Sequence, residues 1–256
     1  MITVVKIGGN VIDNAEALSR FLDDFSRLEG PKVLVHGGGK LATRLSAQLG
    51  IETKMVDGRR ITDKATLDIV TMVYAGLTNK NIVAALVARG QKAVGLSGAD
   101  ANVIPAKKRL PEPIDFGYVG DINPVEVNTD FMKTLIDAGI VPVFCALTHD
   151  GGGSLLNSNA DSVASAVAIA ASSIDETQLV FCFEKAGVLL NVDDENSIIP
   201  LINRETYAEL RAKRVIFEGM LPKIDGAFKA IDSGVKAVII KRADNLLCDK
   251  GTTIQA

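Results

Sequence analysis

Short apolar runs alternate along the chain with segments in which apolar residues recur every three or four positions. The short runs predict strands over 3–7, 33–35, 93–96, 140–147, 179–183 and 237–240. The helical periodicity predicts helices over 17–28, 41–49, 63–89, 129–138, 161–171, 204–213 and 221–233. Strands alternating with helices are typical of right-handed β-α-β units. The pattern therefore predicts an α/β fold with a mainly parallel sheet covered by helices on both faces.

Two stretches interrupt this alternation. Residues 102–128 are rich in Pro, Gly and Asp, and residues 185–202 contain a polar run of Asn, Asp and Glu. Both predict hairpins or flaps, which are common places for functional residues. If the chain has two lobes, the boundary is expected near 173–178, after the predicted helix over 161–171.

Composition excludes several classes of protein. The chain has 256 residues, a net charge of -3 and 47% hydrophobic residues, which argues against a dedicated nucleic-acid binder and against disorder. No apolar run approaches the roughly 18 residues of a membrane span, and the first residues do not resemble a signal peptide. Three cysteines without C-x-x-C spacing favour buried thiols in a reducing cytoplasm. With only two histidines, no protein metal site is expected.

Three glycine clusters carry the first candidate chemistry: Gly8-Gly9, Gly37-Gly38-Gly39 and Gly151-Gly152-Gly153. The first two directly follow predicted strands, where open parallel sheets bind ligands. Glycine allows backbone N–H groups to approach an anion, and a following helix N-terminus adds partial positive charge. The clusters predict either tight turns or a phosphate cradle.

Known motifs of other classes fit poorly. Gly37-x-Gly39-x-x-Ala42 matches the dinucleotide fingerprint, but no acidic residue is suitably placed after it. An esterase would require a G-x-S-x-G elbow, and Gly95-Leu-Ser-Gly-Ala fails at its last position. Because Gly39-Lys40 precedes Leu41 rather than Ser or Thr, there is no Walker A motif.

Four charged residues complete the set of candidates. Lys6 ends an apolar strand, and Lys223 lies at a predicted helix start, where the helix dipole disfavours a cation unless an anion lies between them. Asp161 fits either an ordinary helix-start acid or a catalytic carboxylate. Arg60 fits either a solvated loop charge or a bidentate clamp for a substrate carboxylate.

Together these segments resemble one family across almost the whole chain, the N-acetylglutamate kinases of the amino acid kinase superfamily. The motifs occur in the family's order: Lys6-Ile-Gly-Gly9, His36-Gly-Gly-Gly39, Gly58-Arg-Arg-Ile-Thr62, Gly95-Leu-Ser-Gly98, Asp115-Phe-Gly-Tyr-Val-Gly120, Asn157-Ser-Asn-Ala-Asp161, Gly219-Met-Leu-Pro-Lys223 and Gly251-Thr-Thr-Ile254. Where the family usually has Asp-Val-x-Gly-Val, this chain has Glu184-Lys-Ala-Gly-Val188.

The resemblance implies an αβα sandwich in two lobes and an enzyme of arginine biosynthesis. Residues 1–175 would bind the acylglutamate and form a homodimer, and residues 176–256 would bind ATP with its Mg²⁺. Hexameric, arginine-inhibited relatives have an additional helix before the first strand. Since the first strand is predicted to begin within the first three residues, a dimer without arginine inhibition is expected.

The resemblance also implies roles for single residues. Lys6 and Lys223 would hold the transferring phosphoryl group, and Asp161 would organise the two lysines. The remaining residues would bind the amino acid (Gly37, Gly38, Arg60 and Asn157) or the phosphates and nucleotide (Gly8, Gly9, Glu184, Gly187 and Gly219).

The acyl group remains open at this point. Lys107, Lys108 and Arg109 lie in the predicted flap. They form either a solvated hairpin face or a site for a more acidic acyl group, such as that of N-succinylglutamate. Carbamate kinase, aspartokinase and uridylate kinase activities remain alternatives within the superfamily, and a dinucleotide oxidoreductase or a catalytically inactive sensor is an alternative outside it.

Overall fold

The computed structural model describes residues 1–56, 58–191, 193–213, 215–216 and 220–256. Fourteen strands are found among these residues, in chain order: β1 Ile2–Ile7, β2 Lys32–His36, β3 Met55–Val56, β4 Arg59–Arg60, β5 Ala93–Leu96, β6 Ala106–Lys108, β7 Gly120–Ile122, β8 Val141–Cys145, β9 Leu147–His149, β10 Leu155–Asn157, β11 Thr177–Phe183, β12 Leu201–Ile202, β13 Ala237–Arg242 and β14 Thr252–Ile254.

Nine α-helices connect the strands within the described residues: α1 Gly9–Ile12, α2 Ala15–Arg27, α3 Gly39–Gln48, α4 Lys64–Thr71, α5 Asn79–Val87, α6 Thr129–Asp137, α7 Ala160–Ser172, α8 Arg204–Ala212 and α9 Leu221–Asp232. A π-helical segment, Met72–Thr78, joins α4 to α5. The predicted helix over 63–89 is therefore continuous, with a wider central turn.

The main sheet has eight strands in the order β12-β14-β13-β11-β1-β2-β8-β5. All neighbours run parallel except β13 and β14. The predicted mainly parallel sheet is therefore confirmed. Since the carboxyl ends of β1, β2, β8 and β11 meet at one edge, the loops after these strands come together there.

Strand alternation places successive residues in two different apolar layers. Val4, Val33 and Val35 pack in a cluster with α6, α7, α8 and α9. Val5 and Leu34 point to the opposite face and pack with α1, α2 and α5. The sheet thus lies between two helical layers, as in an αβα sandwich.

Smaller hairpins project from the carboxyl edge of the sheet. β6 pairs with β7, which confirms a hairpin in the stretch 102–128. β3 pairs with β4, and β9 pairs with β10. In the second predicted flap, backbone hydrogen bonds from Leu190 to Ser197 and from Ile199 to Val188 close a loop around the antiparallel bridge between Leu189 and Ile198.

Among the residues that the structure describes, one helical run meets the length and hydropathy criteria of a membrane span. Lys64–Val87 passes by length and composition, although no single apolar stretch of the sequence has that length, and 44% of its apolar window is buried within the protein. Ile69, Val70, Ile82 and Leu86 in this run are almost fully buried against the other elements, so the run packs as a core helix.

Candidate active site

Three charged residues that are distant in sequence meet at the carboxyl edge of the sheet. Lys6 is near the end of β1, Asp161 is in the first turn of α7, and Lys223 is in the first turn of α9. The Nζ atom of Lys6 lies 2.7 Å from Oδ1 of Asp161. The Nζ atom of Lys223 donates a hydrogen bond of 2.6 Å to Oδ2 of the same carboxylate. Asp161 therefore bridges the two ammonium groups, one on each oxygen.

The fold supports this bridge from both sides. The side chain of Asn159 caps α7 and accepts hydrogen bonds from the backbone N–H groups of Asp161 and Ser162. The Nζ atom of Lys223 also lies 5.8 Å from the ring centroid of Phe181 and 5.9 Å from that of Phe183, close enough for a cation–π contribution. Each charged group is therefore held by an ordered element.

Electrostatics keep the bridging carboxylate ionised. Partial burial of Asp161 would by itself raise its pKa, but the charges and hydrogen bonds of Lys6 and Lys223 lower it to about 2. Asp161 is thus an anion at every physiological pH. It is suited to orienting lysines and poorly suited to accepting a proton.

Two adjoining cavities surround this edge of the sheet. The acceptor cavity, of about 390 Å³, is lined by all the residues predicted to bind the amino acid: Gly37, Gly38, Arg60 and Asn157. The second cavity, named the donor cavity because the resemblance predicts that Lys223 meets ATP, has a volume of about 660 Å³, is lined by Asp161 and Lys223 and extends along α9. Arg59, Ile122, Asn159 and Ser162 line both cavities, so the two spaces meet beside the Lys6–Asp161–Lys223 bridge.

Hydrogen bonds hold the walls of the acceptor cavity. Arg60 is 92% buried, and its Nη2 atom donates to the Gly39 carbonyl at 2.9 Å and to Oγ1 of Thr43 at 2.8 Å. Asn157 donates from Nδ2 to Oγ1 of Thr62, at 3.0 Å. Thr62 accepts a backbone hydrogen bond from Tyr118. Through these contacts the segment leading into β7 is attached to the same wall as Arg60.

The glycine loop after β2, residues 37–39, is held by a hydrogen bond to a neutral histidine. Burial lowers the pKa of His36 to about 4, although its hydrogen bond to the Gly37 carbonyl acts in the opposite direction. Assigning the proton to Nδ1 lets the ring donate to the Gly37 carbonyl at 2.7 Å and accept from Nδ2 of Asn79 at 3.0 Å. Gly38 packs directly on Tyr74, since an added Cβ would lie 2.9 Å from the ring.

This neutral histidine predicts a pH-dependent loss of stability. The unfolded state takes up a proton near pH 6.5, whereas folded His36 resists protonation until about pH 4. The contribution of neutral His36 to stability is therefore fully present above pH 6.5 and is lost as the pH falls towards 4. Between pH 7 and pH 5 we expect a loss of about 2 kcal/mol in the free energy of unfolding from this residue.

Urea denaturation of the wild type and of His36→Gln at both pH values measures this contribution. The variant should lack that part of the pH dependence, while His149→Gln, which alters the only other histidine, should retain it. An equal change in the free energy of unfolding between the two pH values in all three proteins would refute the assignment.

The residues predicted to bind phosphate and nucleotide are not all gathered at one place. Gly8 donates its N–H to the Cys182 carbonyl at 2.9 Å, whereas the N–H of Gly9, in the first turn of α1, has no acceptor within the helix. Glu184 lines a separate hollow of about 190 Å³ beside Asn10 and Arg242. An added Cβ on Gly187 would lie 2.7 Å from Oγ1 of Thr252, so close packing explains that glycine. Gly219 lies outside the described residues.

The charged run of the first hairpin divides into two kinds of residue. Lys107 and Lys108 are exposed, as a solvated hairpin face requires. Arg109 instead lines the acceptor cavity. Arg59, which lies on β4, lines the same cavity. Sequence reasoning did not single out Arg59, and the only available signal was that it directly precedes Arg60.

Comparison with known proteins identifies the family. The model of the amino acid kinase family matches residues 1–242. The chain belongs to this family. It is 52% identical to the acetylglutamate kinase of Phocaeicola vulgatus over 99% of this chain and 98% of that protein. It is 53% identical to the acetylglutamate kinase of Cytophaga hutchinsonii over 95% of this chain and 92% of that protein.

Solved structures agree with the fold. A protein from Streptococcus mutans superimposes with a TM-score of 0.78 at 28% identity, covering all of this chain and 98% of its own. The predicted family and the αβα fold are therefore confirmed. Assignment to a kinase family also makes a dinucleotide oxidoreductase untenable.

Proposed function

We propose that this protein transfers the γ-phosphoryl group of ATP to the γ-carboxylate of an N-acyl-L-glutamate, a step of arginine biosynthesis. The observation that carries the proposal is the Lys6–Asp161–Lys223 bridge at the junction of the two cavities. The two relatives named above are acetylglutamate kinases, and this chain matches them over nearly their full lengths, which supports the same activity.

The chemistry needs charge and positioning rather than a base. A γ-carboxylate with a pKa near ~4.3 is already ionised at pH 7. One of its oxygens attacks the γ-phosphorus, the bond between that phosphorus and the β,γ-bridging oxygen breaks, and ADP departs with the bond's electrons. No proton moves in this step. The difficulty is to bring two anions together, which positive charge and alignment overcome.

The residues of the chain fit these requirements. In the acceptor cavity, Arg60 would bind the substrate's α-carboxylate, and Gly37, Gly38 and Asn157 would contact its amide and backbone. Lys6 and Lys223 would neutralise the charge that spreads over the transferring phosphoryl group. Gly9 would offer a backbone N–H to a phosphate oxygen.

Magnesium would enter with ATP as part of the substrate. Among the described residues there is no cluster of three metal-ligating side chains, and the carboxylate of Asp161 is occupied by two lysines. The donor set therefore fits a metal held chiefly by nucleotide phosphates, whose charge would add to that of the lysines.

Acceptor specificity separates this function from other activities of the superfamily. ADP release should depend on an N-acyl-L-glutamate and should be absent with carbamate, aspartate or uridine monophosphate in its place. Turnover of one of these three, without turnover of any acylglutamate, would assign the chain to a different branch. Absence of turnover with all of them would favour an inactive sensor.

The same proposal includes a homodimer in the cytoplasm, with amino-acid binding by residues 1–175 and nucleotide binding by residues 176–256. Met72 and Leu77 support the dimer, because both side chains are more than half exposed and lie five residues apart in the π-helical segment, so they share one face. The three free cysteines are consistent with a reducing compartment, although Cys248 is exposed and only Cys145 and Cys182 are buried as expected. Light scattering should give twice the 27.1 kDa of the chain; a monomer mass would remove the dimer.

A further inference from the structure

The acceptor cavity has more positive charge on its wall than an N-acetylglutamate would use. That substrate has two carboxylates, the α-carboxylate for Arg60 and the γ-carboxylate for the phosphoryl side. Arg59 and Arg109 line the same cavity, and a neutral acetyl group would offer neither of them an anion.

Arg109 is held in place with one donor unused. Its Nε atom donates to Oδ2 of Asp121 at 3.0 Å, and its Nη2 atom donates to Oδ1 of the same residue. Its guanidinium carbon lies 5.4 Å from the ring centroid of Phe116. The Nη1 atom is buried and has no acceptor among the described residues. Asp121 thus fixes the guanidinium plane, and the Nη1 group of Arg109 is left without an acceptor.

Arg59 supplies the second positive charge. It lies beside Arg60 on β4 and lines the boundary between the acceptor and donor cavities. None of the described Asp or Glu side chains forms an ion pair with it. The substrate's α-carboxylate would balance the charge of Arg60, and Asp121 balances that of Arg109. The charge of Arg59 remains, which is enough for one additional carboxylate.

We propose that the acyl group of the substrate ends in a carboxylate, as in N-succinyl-L-glutamate, and that Arg59 and Arg109 bind it. This inference rests on the proposed function, since it specifies the acceptor of the same reaction. Arg60 and the two lysines retain their roles. The terminal carboxylate of the acyl group stays unreacted at the wall formed by Arg59 and Arg109.

The charge of the acyl terminus is the variable to test. Rates of ADP release should be measured with N-succinyl-L-glutamate, with its terminal amide N-succinamoyl-L-glutamate, and with N-acetyl-L-glutamate. The amide has the same size as the succinyl compound but no terminal charge. We expect kcat/KM to be at least about 30-fold higher for the succinyl compound than for the amide, the effect of removing one partner of a charged hydrogen-bonded pair.

Variants identify the residues responsible. Arg109→Met and Arg59→Met should each bring the succinyl-to-amide ratio towards one, and the exposed position of Arg59 makes its variant the safer one for folding. Lys107→Met, which removes a neighbouring exposed cation of the same hairpin, should keep the wild-type ratio.

The outcomes separate the two proposals. Efficient turnover of N-acetyl-L-glutamate together with a ratio of about one in the wild type would overturn the acidic acyl group and leave the proposed function intact. A high ratio that persists in both arginine variants would overturn the assignment to Arg59 and Arg109. Failure of all three acylglutamates to release ADP would overturn the proposed function and this inference with it.

Discussion

Replacing Lys223 by methionine is expected to lower kcat by about 10²- to 10³-fold, the usual cost of removing one preorganised charge from a transition state. The reason is the position of its Nζ atom, 2.6 Å from Asp161 and at the edge of the donor cavity. Methionine keeps much of the length and the apolar stem of lysine, so the substitution removes mainly the charge. Lys6→Met should have an effect of similar size.

The kinetic constants distinguish a catalytic lysine from a binding one. Because the charge is needed mainly when the phosphoryl group is in transit, the KM for the acylglutamate should change much less than kcat. Lys133→Met is the matched control, since Lys133 pairs with Asp137 on the exposed surface of α6. Near-normal kcat in both Lys6→Met and Lys223→Met would refute the proposed site.

Asp161→Asn is expected to lower kcat by about 10²-fold by a different route. The carboxylate holds the two ammonium groups on separate oxygens, 2.7 Å and 2.6 Å away. Asparagine has nearly the same shape but offers one acceptor oxygen and no charge, so the lysines would repel each other and lose their alignment. Asp161 acts as a positioning residue in this account.

Dependence on pH provides a second readout for Asp161. Its pKa of about 2 lies below the value in the unfolded chain, so its contribution to stability is present above about pH 4 and lost as the pH falls towards 2. Wild-type kcat should therefore show no ionisation of this group between pH 5 and pH 9. If the wild-type kcat changed with pH in that range and the change disappeared in Asp161→Asn, the residue would exchange a proton, contrary to the account.

Local patterns predicted most of the scaffold. Apolar runs located six of the eight strands of the main sheet, including β5 over the same residues 93–96, and missed the short strands β12 and β14. The helix predicted over 129–138, which Gly139 follows, is α6, and the structure adds that the side chain of Asn128 caps it. Such elements are determined by the local periodicity of burial and by capping, which a sequence shows directly.

Elements of two or three residues were not predictable from periodicity. The hairpin of β3 and β4 positions Arg59 and Arg60, and β10 carries Asn157, yet both are too short to show an alternating pattern. The π-helical segment within the long helix was also missed, since its effect on side-chain spacing extends over a single turn.

Contacts between distant residues explain the rest of the differences. Lys6 and Asp161 meet because β1 lies beside β2 and β11 under the start of α7, a fact of topology rather than of local sequence. The family resemblance anticipated this meeting. It did not anticipate that Gly8 uses its N–H within the sheet, that Gly187 packs on Thr252, or that Arg109 departs from its exposed neighbours Lys107 and Lys108.

The central claim is that the γ-carboxylate of an acylglutamate accepts the phosphoryl group. Hydroxylamine converts an acyl phosphate into a hydroxamate, so trapping the product under turnover tests the claim most directly. The account predicts one γ-hydroxamate for each ADP released, identified by mass spectrometry, and none with Lys6→Met and Lys223→Met combined. ADP release without hydroxamate, or hydroxamate on the α-carboxyl group, would contradict it.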